Sequence, residues 1–166
     1  MDLTIAKKYT TKETESIFRA SEYRPAAFYD GQDGHVFTRH IGLSNEEMVE
    51  RFRRAYQNPR VQIVAITAFV DNQSASQAGA ELLNSIYGQE ALRHLECSPI
   101  GTRVTVTCFL KKPVRIRYVQ FYGVRVMPWR TFKMVIDRKQ GIDNFIHVQT
   151  FYAFLSDNPI EGCRIG

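Results

Sequence analysis

The 166-residue sequence has no apolar run that approaches the length of a membrane span. Its first residues, MDLTIAKKYTTKETES, lack the apolar core of a signal peptide. If this domain leaves its cell, something outside the sequence has to carry it. Cysteine is scarce: Cys97, Cys108 and Cys163 make an odd number and form no CxxC pair. That argues against a disulfide framework and for a reducing workplace. No Asp-x-Asp, H-N-H or HExxH pattern is present to hold a metal, and no cofactor is expected. Repeats and low-complexity stretches are absent too. The hydrophobic share of 44% and charged share of 23% are ordinary, and the length suits one domain with a real core.

Acidic residues are nearly missing from one segment. Between Thr102 and Gln140 ten Lys/Arg face a single acid, Asp137. That segment carries +9 of a net +5, so the rest of the chain carries −4. A field this lopsided suits a polyanion, and it equally suits a solvated basic sheet face.

The first half reads as helical. Thr11 to Ala20 fits a short helix that Arg24-Pro25 ends. DGQDG at 30–34 has strong turn chemistry. A short helix follows over His35–Ile41, and Gly42-Leu43-Ser44 is a stop and restart. Ser44 with Glu47 makes a capping box for a helix running to about Gln57, ahead of Asn58-Pro59. Met48, Phe52, Ala55 and Tyr56 mark its buried stripe. Arg51 lies at the edge of that stripe and should be half buried, while Arg53 and Arg54 should face water. Val61–Val70 reads as a buried strand. Asp71 or Asn72 caps the next helix, whose apolar side carries Ala78, Leu82, Leu83 and Ile86. Gly88 weakens it before Ala91, Leu92 and Leu95 continue the pattern.

The second half reads as strands: Arg103–Leu110, Ile116–Met127, Thr131–Arg138 and Phe145–Leu155, at hairpin-like spacing. Cys108 falls in an apolar strand pattern and reads as core. Helices first and strands later imply an α+β domain, with N-terminal helices packed on a C-terminal antiparallel sheet.

Four histidines are the first candidates for chemistry. His94 sits in a helix and reads as surface. In the last strand, alternation puts His147 on one face with Phe145, Gln149 and Phe151. The other face then carries Ile146, Val148, Thr150, Tyr152 and Phe154. Thr150 and Tyr152 are either core residues, the commoner case, or paired hydroxyls lining a site. His35 and His40 flank Thr38-Arg39 in GHVFTRHIG. In an unbroken helix His40 and Arg51 would stand about 16 Å apart, too far to share one phosphate. A break at Gly42–Ser44 is therefore a requirement of any shared site.

GHVFTRHIG-LSNEEMVERF resembles the opening signature of bacterial RNase A-like toxin domains, found at the C-termini of contact-dependent growth inhibition proteins and related polymorphic toxins. That signature is a Gly-His pair, then Arg-His-Val-Gly, a polar stretch, and an Arg one helix later. AITAFVDNQSASQAGAELLNS resembles the family's Ser-x-Phe strand and the helix after it, and QTFYA its closing Thr-Ser-Tyr-Pro. The resemblance runs from about Gly34 to Ala153. Leu43 departs from a frequent Lys, His94-Leu95 from a common Trp-Leu, and Ala153 from the Pro.

The resemblance implies a kidney-shaped RNase A-like fold and a catalytic set of His40, Arg51, Thr150 and Tyr152, with His35 as a secondary candidate. It implies a toxin domain over 31–166, with 1–30 as an extension packed on that domain or a joint to a larger carrier. Its activity would be metal-independent cleavage of RNA, tRNA included, by 2′-hydroxyl attack, leaving a 2′,3′-cyclic phosphate. An imidazole near pKa 6.5 suits proton transfer, and a guanidinium suits the phosphoryl charge. Thr150 would orient an oxygen, and Tyr152 would donate a proton or stack on a base. The family further implies a monomeric toxin acting in the target-cell cytoplasm. It also implies an immunity protein covering the active site, which the basic segment suggests is acidic.

Two other readings compete. An ADP-ribosyltransferase toxin would want a late Glu-x-Glu, but Glu13-Thr14-Glu15 lies at the N-terminus. A non-catalytic RNA-binding module would use the basic sheet and its aromatics, Tyr118, Phe121, Tyr122 and Trp129, yet no ribonucleoprotein motif stands out there.

Overall fold

The computed structural model describes residues 7–22, 34, 36–60, 65–120, 123–141, 144–156 and 158–166. Among them the helices are α1 (Thr11–Glu22), α2 (Val36–His40), α3 (Asn45–Gln57), α4 (Asn72–Asn84) and α5 (Ile86–Glu96). The strands are β1 (Ile66–Phe69), β2 (Arg103–Val119), β3 (Val124–Arg138), β4 (Ile146–Ala153) and β5 (Gly162–Ile165). The fold is α+β, with helices packed on an antiparallel sheet of order β1-β2-β3-β4, in which β5 pairs with the free half of β2. His35, the turn at 30–33, Arg24-Pro25 and Val61–Val64 lie outside the described residues.

Two long strands replace the three shorter ones expected between Arg103 and Arg138. β2 runs through Pro113 because a register irregularity between Phe109 and Val114 removes that stretch from the ladder, where a missing N–H does no harm. The reversal comes instead at Gly123, whose φ of +143° suits glycine alone. β5 was not foreseen at all.

The single helix expected after Asp71 is two. The Asp71 side chain caps α4 by accepting from Ser74 N at 2.7 Å. Ser85 ends α4 and caps α5, its hydroxyl accepting from Gly88 N at 3.1 Å. Gly88 is therefore no mere weak point: a Cβ there would sit 2.0 Å from Leu82 O. The same break turns Ile86 out to 80% exposure, against the expected buried stripe. Tyr56, also expected inside, is 68% exposed and stacks on Phe52 at the end of α3.

The main core joins α1, α2, α4 and α5 to the inner face of the sheet through Phe18, Phe69, Leu82, Leu92, Phe132 and Phe151. Cys108 is part of it, as expected. A second cluster seats α3 on Ala68 and Val119 through Leu43, Met48 and Phe52. β1 and β4 lie at opposite ends of the strand order, yet the Phe69 and Phe151 rings are 5.1 Å apart. The sheet curls until its ends meet, and that closure brings residues near 40, 67 and 152 into one place.

Candidate active site

β4 decides which side chains the site receives. Val135 pairs with Thr150 while its neighbour Ile136 pairs with Val148, so Gln149 is an extra residue, a β-bulge. Alternation shifts by one at that point. Cross-strand pairing puts Phe151 on the core face with Ile146 and Val148, and Thr150 and Tyr152 on the opposite face with His147. Strict alternation across residues 145–154 placed them the other way round, because an extra residue reverses phase and leaves composition unchanged.

The break between α2 and α3 is present. Gly42 N donates to Phe37 O at 2.7 Å, closing α2. Ser44 caps α3, accepting from Glu47 N at 3.1 Å. The two short helices therefore turn at the point that a shared site required. α2 packs along the edge strand β4, and α3 packs on β1.

His40 and Thr150 meet there: His40 Nε2 lies 3.1 Å from Thr150 Oγ1. The hydroxyl can donate to a neutral Nε2 or accept from a protonated one, so the pair accommodates both states that proton transfer visits. The Tyr152 ring stacks on His40 at 5.6 Å between centroids and 27° between planes. Burial pushes the Tyr152 phenol above its usual pKa, which keeps it a neutral donor. Arg51 is half buried, and its NH1 donates to Arg39 O at 3.3 Å. His40, Arg51 and Tyr152 line one open cleft of about 330 Å³, together with Arg39, Thr67 and Leu155. Thr150 lies beneath it, buried and touching His40.

The other histidines lead elsewhere. His147 is buried, and its Nε2 donates to Ser21 O at 3.0 Å. Its Nδ1 lies 3.9 Å from Asp137, which a bidentate Arg103 also holds at 2.7 and 3.0 Å. That arrangement ties the end of α1 to the sheet. His94 lies on α5, which packs on β2 and β5. Among the described residues no group of His, Cys, Asp and Glu is gathered that could hold a metal ion. No described helix is long and apolar enough to cross a membrane.

Arg117 was not foreseen. Its guanidinium donates to the carbonyls of Ile41 (2.8 Å), Leu43 and Phe69 (3.3 Å) and reaches Asn45 Oδ1 at 3.5 Å. Two of those carbonyls belong to the link between His40 and Arg51, so Arg117 fixes the bend. A cation at a helix C-terminus also answers the helix dipole. Sequence alone showed only one more Arg in a basic strand.

No protein-family model matches the chain, and no curated protein matches it. Among solved structures, a chain from the CdiA-CT/CdiI complex of Y. kristensenii is similar in fold, with a TM-score of 0.53 and 17% identity. The alignment covers 74% of this chain and 100% of that one, so a fold known from a CdiA-CT/CdiI assembly accounts for most of this molecule.

Proposed function

We propose that this chain is the toxic domain of a contact-dependent growth inhibition protein or related polymorphic toxin, and that it cleaves RNA in a target cell without a metal. The observation that carries the reading is the meeting of His40, Thr150 and Tyr152 beside Arg51, four side chains from two ends of the chain. The fold likeness to a chain of a CdiA-CT/CdiI complex supports the toxin part. The RNase A-like relationship rests on the motifs GHVFTRHIG, AITAFV and QTFYA.

In this reading His40 takes the proton of the RNA 2′-hydroxyl. The freed oxygen bonds to phosphorus as the bond to the 5′-oxygen breaks, leaving a 2′,3′-cyclic phosphate. Arg51 offsets the charge that gathers on the phosphoryl oxygens. Thr150 holds the imidazole in register. Tyr152, a neutral phenol whose pKa partial burial raises further, donates to the departing 5′-oxygen. His35, outside the described residues, is the other candidate for that proton. A producer of such an enzyme needs an immunity protein over the cleft, and a basic cleft calls for an acidic one.

The test is incubation with total RNA in excess EDTA, followed by mapping of the ends. The expected result is 2′,3′-cyclic phosphate ends with the wild type, and intact RNA with a folded His40→Ala variant. A His40→Ala protein that cuts as well as the wild type refutes the assignment. Activity that EDTA removes and a divalent metal restores refutes the metal-free chemistry.

A further inference from the structure

A second cleft, of about 710 Å³, opens beside the first. Tyr118, Arg125, Met127 and Trp129 line it, and Leu155 lines both clefts. The strand register shows how they connect. Thr67 on β1 pairs with Tyr118 on β2, and Tyr118 pairs with Arg125 on β3. Directly paired residues share a face, so these three form one row across the sheet. The row starts in the His40 cleft, where Thr67 is a wall, and ends at an exposed cation about 10 Å away, two strand spacings.

The aromatic walls are held in place. Trp129 Nε1 donates to Phe154 O at 3.1 Å, which fixes the indole against the segment that borders the His40 cleft. The Tyr118 hydroxyl bonds Gln120 Oε1 at 2.6 Å. Two fixed aromatics, a Met and an Arg, with room for a nucleotide, are the parts of a stacking platform for single-stranded nucleic acid. A solvated basic face would need neither the aromatic walls nor the shared border.

We propose that the Tyr118–Arg125–Trp129 cleft binds the nucleotide next to the cleaved phosphodiester, stacking its base on the aromatics and pairing its phosphate with Arg125. This rests on the ribonuclease reading for its place in the reaction, but its binding can be measured without cleavage. The recognition is tolerant of base identity, since every base has a stacking face. It requires a single strand, because a paired base cannot reach the platform.

Trp129 is the only tryptophan, so intrinsic fluorescence reports this cleft directly. The probe is a short single-stranded RNA with 2′-O-methyl groups, which has no attacking hydroxyl. Binding should quench the emission saturably. Tyr118→Ala should weaken affinity about ten-fold, the effect of one lost stack. Arg125→Ala should lower the slope of log affinity against log salt by about 0.7, the loss of one phosphate contact on a single strand. Both variants should raise the KM for a cleavable single-stranded oligonucleotide more than they lower its kcat. Binding that leaves Trp129 emission unchanged, or affinity and salt slope that survive both substitutions, overturns the proposal. If the wild type binds and quenches but cuts no RNA, the ribonuclease reading fails and the binding site stands.

Discussion

Replacing Arg117 tests whether the bend between α2 and α3 is held from the sheet or holds itself. The side chain makes contacts of 2.8 and 3.3 Å to the Ile41 and Phe69 carbonyls and a further bond to that of Leu43. A hydrogen bond to a charged group is worth about 1.5–3 kcal/mol. These three share one half-buried group and are not additive. Arg117→Ala should therefore destabilise by about 3 kcal/mol, most of the effect coming from carbonyls left without their donor. Activity should fall further than stability. A misplacement of about 1 Å can cost about a hundred-fold in rate, and His40 and Arg51 flank the released link. Arg117→Lys keeps the charge but has no planar fork, so it should recover part of the stability and little of the rate. Guanidinium unfolding and initial rates on a fluorescent RNA oligonucleotide, read on the same samples, give both quantities. If Arg117→Ala unfolds at the wild-type midpoint and cleaves at the wild-type rate, the bend needs no clamp and the reasoning fails.

Tyr152→Phe keeps the ring on His40 and removes only the donor, so cleavage should drop by about ten- to a hundred-fold with unfolding unchanged; an unaltered rate removes the phenol from the mechanism. Gly88→Ala gains about 1 kcal/mol of helix propensity. It also drives a Cβ to 2.0 Å from Leu82 O, and overpacking of this kind costs up to about 3 kcal/mol. The sum should be a loss of about 2 kcal/mol in a denaturant titration, and a gain would contradict the close approach. Burial raises Cys163 to about 11 and Tyr9 to about 12, acidic neighbours adding to both shifts. The folded chain therefore keeps those protons after the unfolded chain has begun to release them. Their contribution to stability is whole below about pH 9 and lost as pH rises through 11 to 12. An unfolding midpoint that holds steady from pH 8 to 12 would count against it.

Much of the frame was legible from local rules. The Ser44 and Asp71 caps, the stop at Gly42 and the half-buried edge position of Arg51 all follow from short-range chemistry, and the structure has them. The failures share a cause. A strand end was expected after Leu110, but β2 continues, and the irregularity that tolerates Pro113 belongs to the pairing with β3. Gly88 argued for a weak point inside one continuing helix, but its meaning lies in the end of the helix before it. The count of positive charges did not show which of them also hold the fold together. Arg103 holds Asp137, Arg117 holds carbonyls and Arg130 donates to Leu110 O, so part of that charge acts inside the fold. Each of these depends on a partner outside the residue's own element, and composition carries no record of partners.

The extra residue at Gln149 makes the site a matter of parity. Thr150 and Tyr152 face His40 because Gln149 drops out of the ladder. With Gln149 paired in turn, strict alternation would put both hydroxyls on the face of Ile146 and Val148 and bring Phe151 to the cleft, with every amino acid of the motif still in the sequence. Deleting Gln149 would instead make Val148 and Thr150 consecutive partners of Ile136 and Val135, a regular strand with every face kept. Relatives that lack this residue would therefore carry the same surface on an unbulged strand, and a change that forces Gln149 into the ladder would lose it.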